Sequence, residues 1–136
     1  MNQKRIKELL EDYQKAVSRL DESLNESLSK GSIVIDGTIQ RFEFTFELAW
    51  KVLKAALEFQ GIGTATPRSA IKEAFRAQWI KNGQGWIDML EDRNKTSHIY
   101  NEKQAAGIYK KIKKSHYPLL LQLSKHLKLQ KDLPLS

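Results

Sequence analysis

The densest chemistry in this sequence sits in residues 93–100, which read Arg-Asn-Lys-Thr-Ser-His-Ile-Tyr. Arg93 follows Trp86 by seven positions and Leu90 by three, so on a helix it lies on their apolar face. An arginine does not deprotonate there, and it needs a counter-charge or an anionic ligand. His98 comes five residues later, about 140° away around an unbroken helix. The two side chains converge only if the helix ends between them, or if two subunits contribute one each. Asn94, Thr96, Ser97 and the β-branched Ile99 are poor helix-interior residues, so a break is expected here.

Asn101, with Gln104 three positions on, has capping-box spacing for a following helix. His98 and Tyr100 then stand just ahead of a helix N-terminus, where free backbone N–H groups favour an anion. An arginine, a histidine, several hydroxyls and a helix N-terminus within one segment suit phosphate chemistry. Histidine moves protons near neutral pH. Arginine clamps phosphate oxygens and neutralises charge that builds up in a transition state. Together they suit activation of a ribose 2′-hydroxyl against the neighbouring phosphodiester without a metal. On the residues alone a plainer role is favoured, because ion-pair networks commonly mimic sites: Arg93 in an ion pair with Asp88, Asp92 or a carboxylate of another helix, and His98 closing a loop.

The remaining candidates carry less. His116 and His126 lie beside lysines and read as solvated surface, and three widely spaced histidines make no metal motif. Glu43, Glu47 and Lys51 recur at one-turn steps, the spacing of simple helix pairing. Arg41, beside Phe42, reaches either a carboxylate or the same anion as Arg93. Lys110, Lys111, Lys113 and Lys114 read first as a solvated face and second as a contact for a phosphate backbone. No glycine-rich phosphate loop is present.

The elements that must position these residues are helical. Ile6, Leu9, Leu10, Tyr13, Val17, Leu20, Leu24 and Leu28 form one apolar stripe, predicting a helix over residues 2–29. A second helix is expected over 37–60 with Asp36 as its cap. It is apolar nearly all round, including Phe44 and Phe59, so it needs a partner on more than one side; a dimer follows. Thr66-Pro67 opens a third helix that turns Ile71, Ala74, Phe75 and Trp79 inward. A fourth starts near Gly85, and the last runs over 101–129 with a kink at Tyr117-Pro118. The β-branched run at 32–35 is too short to build a sheet. The expected fold is an all-α, antiparallel, up-and-down four-helix bundle of four to five helices, one domain over 1–136 with a frayed tail at 130–136.

Composition narrows the partners. The 136 residues hold 23 Lys and Arg against 16 Asp and Glu, a net charge of +7 that favours anionic partners. The absence of cysteine excludes disulfides, thiolate metal sites and cysteine nucleophiles. No stretch approaches ~20 apolar residues and no apolar leader opens the chain, so a cytoplasmic location and no membrane contact are expected.

Several separated blocks carry a family resemblance: Gln40-Arg41-Phe42-Glu43-Phe44-Thr45-Phe46-Glu47-Leu48-Ala49-Trp50-Lys51; Pro67-Arg68 with Ile71-Lys72-Glu73-Ala74-Phe75; Trp86 with Met89-Leu90; and residues 93–100. Over roughly residues 5 to 125 the chain resembles the nucleotidyltransferase substrate-binding protein family, a branch of the HEPN superfamily. The resemblance implies a HEPN-like homodimeric bundle that pairs with a minimal nucleotidyltransferase, either presenting a substrate to it or forming a toxin–antitoxin system with it. It also implies the Arg-x4–6-His motif of metal-independent HEPN ribonucleases, which Arg93 and His98 match as catalytic residues. Asn94 matches the polar residue after the arginine. Tyr100 matches the tyrosine onto which the partner transfers AMP to silence the nuclease. Arg41, Asn94, Ser97 and Tyr100 are the residues expected to hold a nucleotide or RNA, with no cofactor and no metal. Three functions follow: a substrate-binding subunit of the transferase, a ribonuclease toxin, or a non-catalytic helical dimer used as a scaffold.

Overall fold

A computed structural model describes residues 3–129 of the chain; the tail expected to fray lies outside them. Helix α1 spans Gln3–Leu24 and buries the expected stripe from Ile6 through Tyr13 to Leu24. It stops five residues short of the expected end. Ser27 accepts the Ser29 N–H and caps a 3₁₀ turn, Leu28–Lys30, which leaves Leu28 half exposed.

Helix α2 spans Ser32–Phe59, opening five residues earlier than expected. Gly31, at φ 98°, makes the turn between the two helices, so the β-branched run at 32–35 becomes the first turn of α2 and Asp36 is not its cap. Its other end closes in a Schellman motif: Ile62 N–H reaches Leu57 O at 2.9 Å, Gly61 N–H reaches Glu58 O at 2.9 Å, and Gly61 takes φ 85°.

Helix α3 spans Pro67–Arg76 behind a capping box in which Thr66 and Ser69 satisfy each other's backbone N–H groups. It buries Ile71 and Ala74, but Phe75 is half exposed, contrary to the inward role expected of it. Trp79 is buried from beyond the helix end. Helix α4 spans Gly83–Lys95, with the Asn82 side chain accepting the Gly85 N–H at 2.9 Å.

Helix α5 spans Glu102–Lys111 and α6 spans Tyr117–Leu129; a π turn over Ile112–His116 joins them into one continuous rod. The π turn falls just ahead of the Tyr117-Pro118 pair at which a kink is expected. Pro118 has no N–H to offer and its ring crowds the carbonyl four residues back, and the wider turn absorbs both effects.

The described residues are thus all-α, five helical rods without a strand. Helix α2 is central: it packs on α1, α3, α4 and α5, while α6 closes against α1. Tyr13, Phe42, Phe46, Trp86 and Met89 fill the middle, each at most 1% exposed. Among the described residues, no helix is long and apolar enough to cross a membrane.

Candidate functional site

The break between Arg93 and His98 is where the residue types place it. Helix α4 ends at Lys95, a 3₁₀ turn covers Thr96–His98, and the chain is extended at Ile99 before Asn101 caps α5. Asn101 Oδ1 accepts the Gln104 N–H at 2.8 Å. The return bond of the capping box is shifted by one residue, since Gln104 Oε1 accepts from Tyr100 N–H at 2.8 Å rather than from Asn101. Gln104 therefore ties down the backbone of Tyr100.

Arg93 finds its counter-charge on α2. Its Nη1 lies 3.4 Å from Glu43 Oε2 and donates to Thr96 Oγ1 at 3.3 Å. Thr96 Oγ1 lies 2.6 Å from both Glu43 Oε2 and the Arg93 carbonyl. Glu43 thus departs from the helix pairing read from its spacing. Glu47 alone pairs with Lys51, at 3.8 Å. The Arg93 Nε is buried and has no partner among the described residues.

Arg93, Glu43, Arg41, Arg19 and Phe44 line one open cleft of about 710 Å³ between α1, α2 and the end of α4, with Glu47 at its side. Arg41 reaches into this neighbourhood as one of the two outcomes expected for it: its Nη1 donates to Arg19 O at 2.6 Å and lies 3.8 Å from Glu22. Three arginines and two carboxylates around one concavity leave it suited to an anion that can displace Glu43 from Arg93.

His98 opens elsewhere. It lines a second cleft, about 350 Å³, with Lys95, Ile99, Gln104, Gly107, Ile108 and Lys111. Its Nδ1 is 3.4 Å from the Tyr100 hydroxyl, and Tyr100 is 80% exposed. Asn94 and Ser97 are both exposed and bond to each other, Ser97 Oγ donating to Asn94 O at 3.1 Å; neither lines either cleft. One subunit therefore brings together Arg93 with Arg41, and His98 with Tyr100, on two sides of one turn.

The spacing missed a buried polar cluster behind that turn. His116, read as surface, is 1% exposed and stacks on Phe42 with ring centroids 5.5 Å apart. Its Nε2 is 2.6 Å from Asp92 Oδ2, and Lys111 Nζ is 2.8 Å from the same oxygen. Burial pushes the Asp92 carboxyl up, but the bonds from Lys111 and His116 outweigh it and hold the group below its ordinary range. Burial also pushes His116 down, and Asp92 only partly offsets this. The only trace in the sequence was the alternation of His116 with Ile112 and Leu120 along one apolar face.

The family model described as "Nucleotidyltransferase substrate binding protein like" matches residues 8–129. A Haemophilus influenzae protein named "Probable ribonuclease HepT" is 33% identical over 84 residues, covering 58% of each chain. The chain thus spans somewhat over half the length of that relative. A crystal structure from Thermus thermophilus superposes with a TM-score of 0.76 at 30% identity, over 85% of this chain and 98% of the other. A second structure, from Haemophilus influenzae and described as the fold of a substrate binding domain of a nucleotidyltransferase, superposes at 0.64 and 24% identity over 93% and 99% of the two chains; it shows the fold alone.

Proposed function

The chain belongs to the nucleotidyltransferase substrate-binding protein family, and from that premise we propose that it works as the partner subunit of a minimal nucleotidyltransferase, in a two-component pair of the toxin–antitoxin type. The observation that carries this reading is Tyr100. An enzyme acting on this chain from outside must reach its acceptor atom, and the Tyr100 phenol is 80% exposed, 3.4 Å from an imidazole nitrogen, on an extended link whose backbone Gln104 fixes. In the transfer, the Tyr100 oxygen bonds to the α-phosphorus of ATP, pyrophosphate leaves, and the phenolic proton passes to His98 or solvent. Incubation with the partner and ATP is expected to add the mass of AMP to the wild-type chain and none to Tyr100→Phe. Equal labelling of Tyr100→Phe would remove Tyr100 from the proposal.

A second reading makes the chain a metal-independent endoribonuclease, with Arg93 and His98 as catalytic residues. The relative named probable ribonuclease HepT supports it, as does the placement of the two side chains on either side of one turn. His98 would take the proton of a ribose 2′-hydroxyl and Arg93 would bear the charge on the phosphate. Since they open onto different clefts, a second copy has to complete the site. Ile33, Gly37, Gln40 and Phe44 recur along one side of α2; Ile33 is 73% exposed, and Phe44, which lines the Arg93 cleft, is 60% exposed, a face suited to a homodimer. Cleavage of RNA in excess EDTA by the wild-type chain but not by His98→Ala, leaving cyclic phosphate ends, is the expected result. Equal behaviour of the two chains would leave the substrate-binding role alone.

A further inference from the structure

The cleft beside His98 has a feature that the chain's own packing does not explain. Gly107 lies in the middle of α5, where glycine weakens a helix relative to alanine. Its backbone is not in the left-handed region. A Cβ built on it meets no atom within 4 Å. Neither a turn nor a close neighbour requires glycine here. What the missing side chain does leave is bare backbone in the wall of the cleft, which Ile99 and Ile108 also line. Without a side chain there, a ligand can approach the backbone closely.

The edge of the cleft is cationic. Lys111 spends one of its three N–H groups on Asp92 at 2.8 Å and is half exposed, so the others face outward. Lys95 stands 4.0 Å from the other Asp92 oxygen with its side chain 67% exposed. The Asp92 carboxylate is 2% exposed and already bonded to His116. Two ammonium groups and an imidazole therefore ring a cleft whose one carboxylate is shielded. The volume, about 350 Å³, lies at the small end of the range for small-molecule sites.

A largely apolar wall with a cationic edge matches one ligand chemistry. We infer that this cleft seats a single nucleotide unit, its base against Gly107, Ile99 and Ile108 and its phosphate between Lys95 and Lys111. The unit comes either as a free nucleotide or as one residue of an RNA strand passing His98. The inference deepens the proposed function and rests on reading residues 93–100 as a nucleotide-handling segment, but its test is binding and needs neither cleavage nor modification.

The test is an amide NMR titration of the full chain with AMP, with inorganic phosphate, and with a 2′-deoxy tetranucleotide that cannot be cleaved. Shifts at Gly107, Ile108 and Ile99 are expected. Gly107→Leu, whose side chain enters the cleft and not the core, is expected to weaken binding at least tenfold with the melting temperature unchanged or raised. Lys95→Ala is expected to weaken it severalfold. Tighter binding of AMP assigns the site to a free nucleotide, and tighter binding of the tetranucleotide assigns it to a strand. Undiminished binding by Gly107→Leu, inorganic phosphate binding as well as AMP, or no shift at Gly107 with any ligand overturns the inference. A chain that cleaves no RNA and accepts no AMP, yet binds a nucleotide at Gly107, would remove the ribonuclease reading and the AMP transfer to Tyr100 and leave this site standing.

Discussion

Arg93 on α4 and Glu43 on α2 face each other across the helix interface, guanidinium nitrogen to carboxylate oxygen, at 3.4 Å. Thr96 stands between them, its hydroxyl 2.6 Å from that same oxygen. The pair therefore does two jobs. It neutralises a cation that helix periodicity drives onto an apolar face, and it pins the last turn of α4 to the central helix just before the chain breaks toward His98. An anion entering the cleft competes with Glu43 for Arg93, so Glu43 sets how readily Arg93 takes a phosphate.

Removing Glu43 should be felt first as stability. Glu43→Ala leaves Arg93 and the Thr96 hydroxyl without their shared acceptor, and hydrogen bonds to charged groups contribute about 1.5–3 kcal/mol when shielded from water. The two side chains are 29% and 31% exposed, so a loss of about 1–2 kcal/mol is expected in urea denaturation. Glu43→Gln keeps an acceptor for Thr96 and should lose less than half of that. A double-mutant cycle with Thr96→Val should be non-additive by about 0.5 kcal/mol or more. Full additivity would mean that the contact carries no energy.

The Asp92–His116 pair gives stability a pH dependence whose sign is fixed. Both groups titrate below their ordinary values in the folded chain. The unfolded chain therefore binds more protons, and stability rises with pH across each window. The His116 contribution is fully present above its unfolded value near 6.5 and is lost as pH falls below it; that of Asp92 is lost at pH below 3.8, its ordinary value. The melting temperature should fall as pH drops from 7 to 5. His116→Gln, which keeps an N–H for Asp92 but cannot titrate, should flatten that slope. A slope unchanged by the substitution would place the titrating group elsewhere.

The helices were legible because periodicity and capping are local. The stripe of α1, the Thr66-Pro67 start of α3 and the Asn101 cap of α5 needed no tertiary information. Helix ends were less legible where one positive-φ glycine decides them: Gly31 moves the start of α2 back through a β-branched run that local propensity disfavours. The candidate site was half legible. Residue types at 93–100 marked the segment, but the partner of Arg93 lies on a helix fifty positions away and follows no spacing rule. His116 looked solvated because its neighbours Lys113, Lys114 and Ser115 are exposed; the π turn that swings it onto Asp92 has no sequence signature of its own.

The exposed side of α2 predicts an assembly. Phe44 is 60% exposed and lines the Arg93 cleft, so a homodimer built on this face would bury it at the centre. A central aromatic commonly contributes about 2 kcal/mol or more to such an interface, roughly thirtyfold in dissociation constant. Phe44→Glu should therefore give a monomer by sedimentation equilibrium at concentrations where the wild type is dimeric, with its helical circular dichroism intact. A wild-type chain that sediments as a monomer would refute the homodimer, and with it a site completed by a second copy.

One strained residue away from the site offers a stabilising change. Helix α3 closes with Trp79 N–H on Ala74 O at 2.9 Å and Gln78 N–H on Phe75 O at 3.0 Å, the Schellman arrangement, which places Gln78 at φ 66°. Glycine favours that position because an L side chain there crowds the following carbonyl, at a cost of roughly 1–2 kcal/mol in the left-handed region. Gln78 is exposed, so its side chain gives up little packing on removal. Glycine gains the relief of strain but also loosens the unfolded chain, which takes back part of it. Gln78→Gly should stabilise the fold by about 0.5–1 kcal/mol, raising the melting temperature by roughly 2–6 °C. Gln78→Val, β-branched at the same φ, should lower it by a similar amount. The reverse order of the two variants would mean that the backbone at residue 78 does not take the left-handed turn.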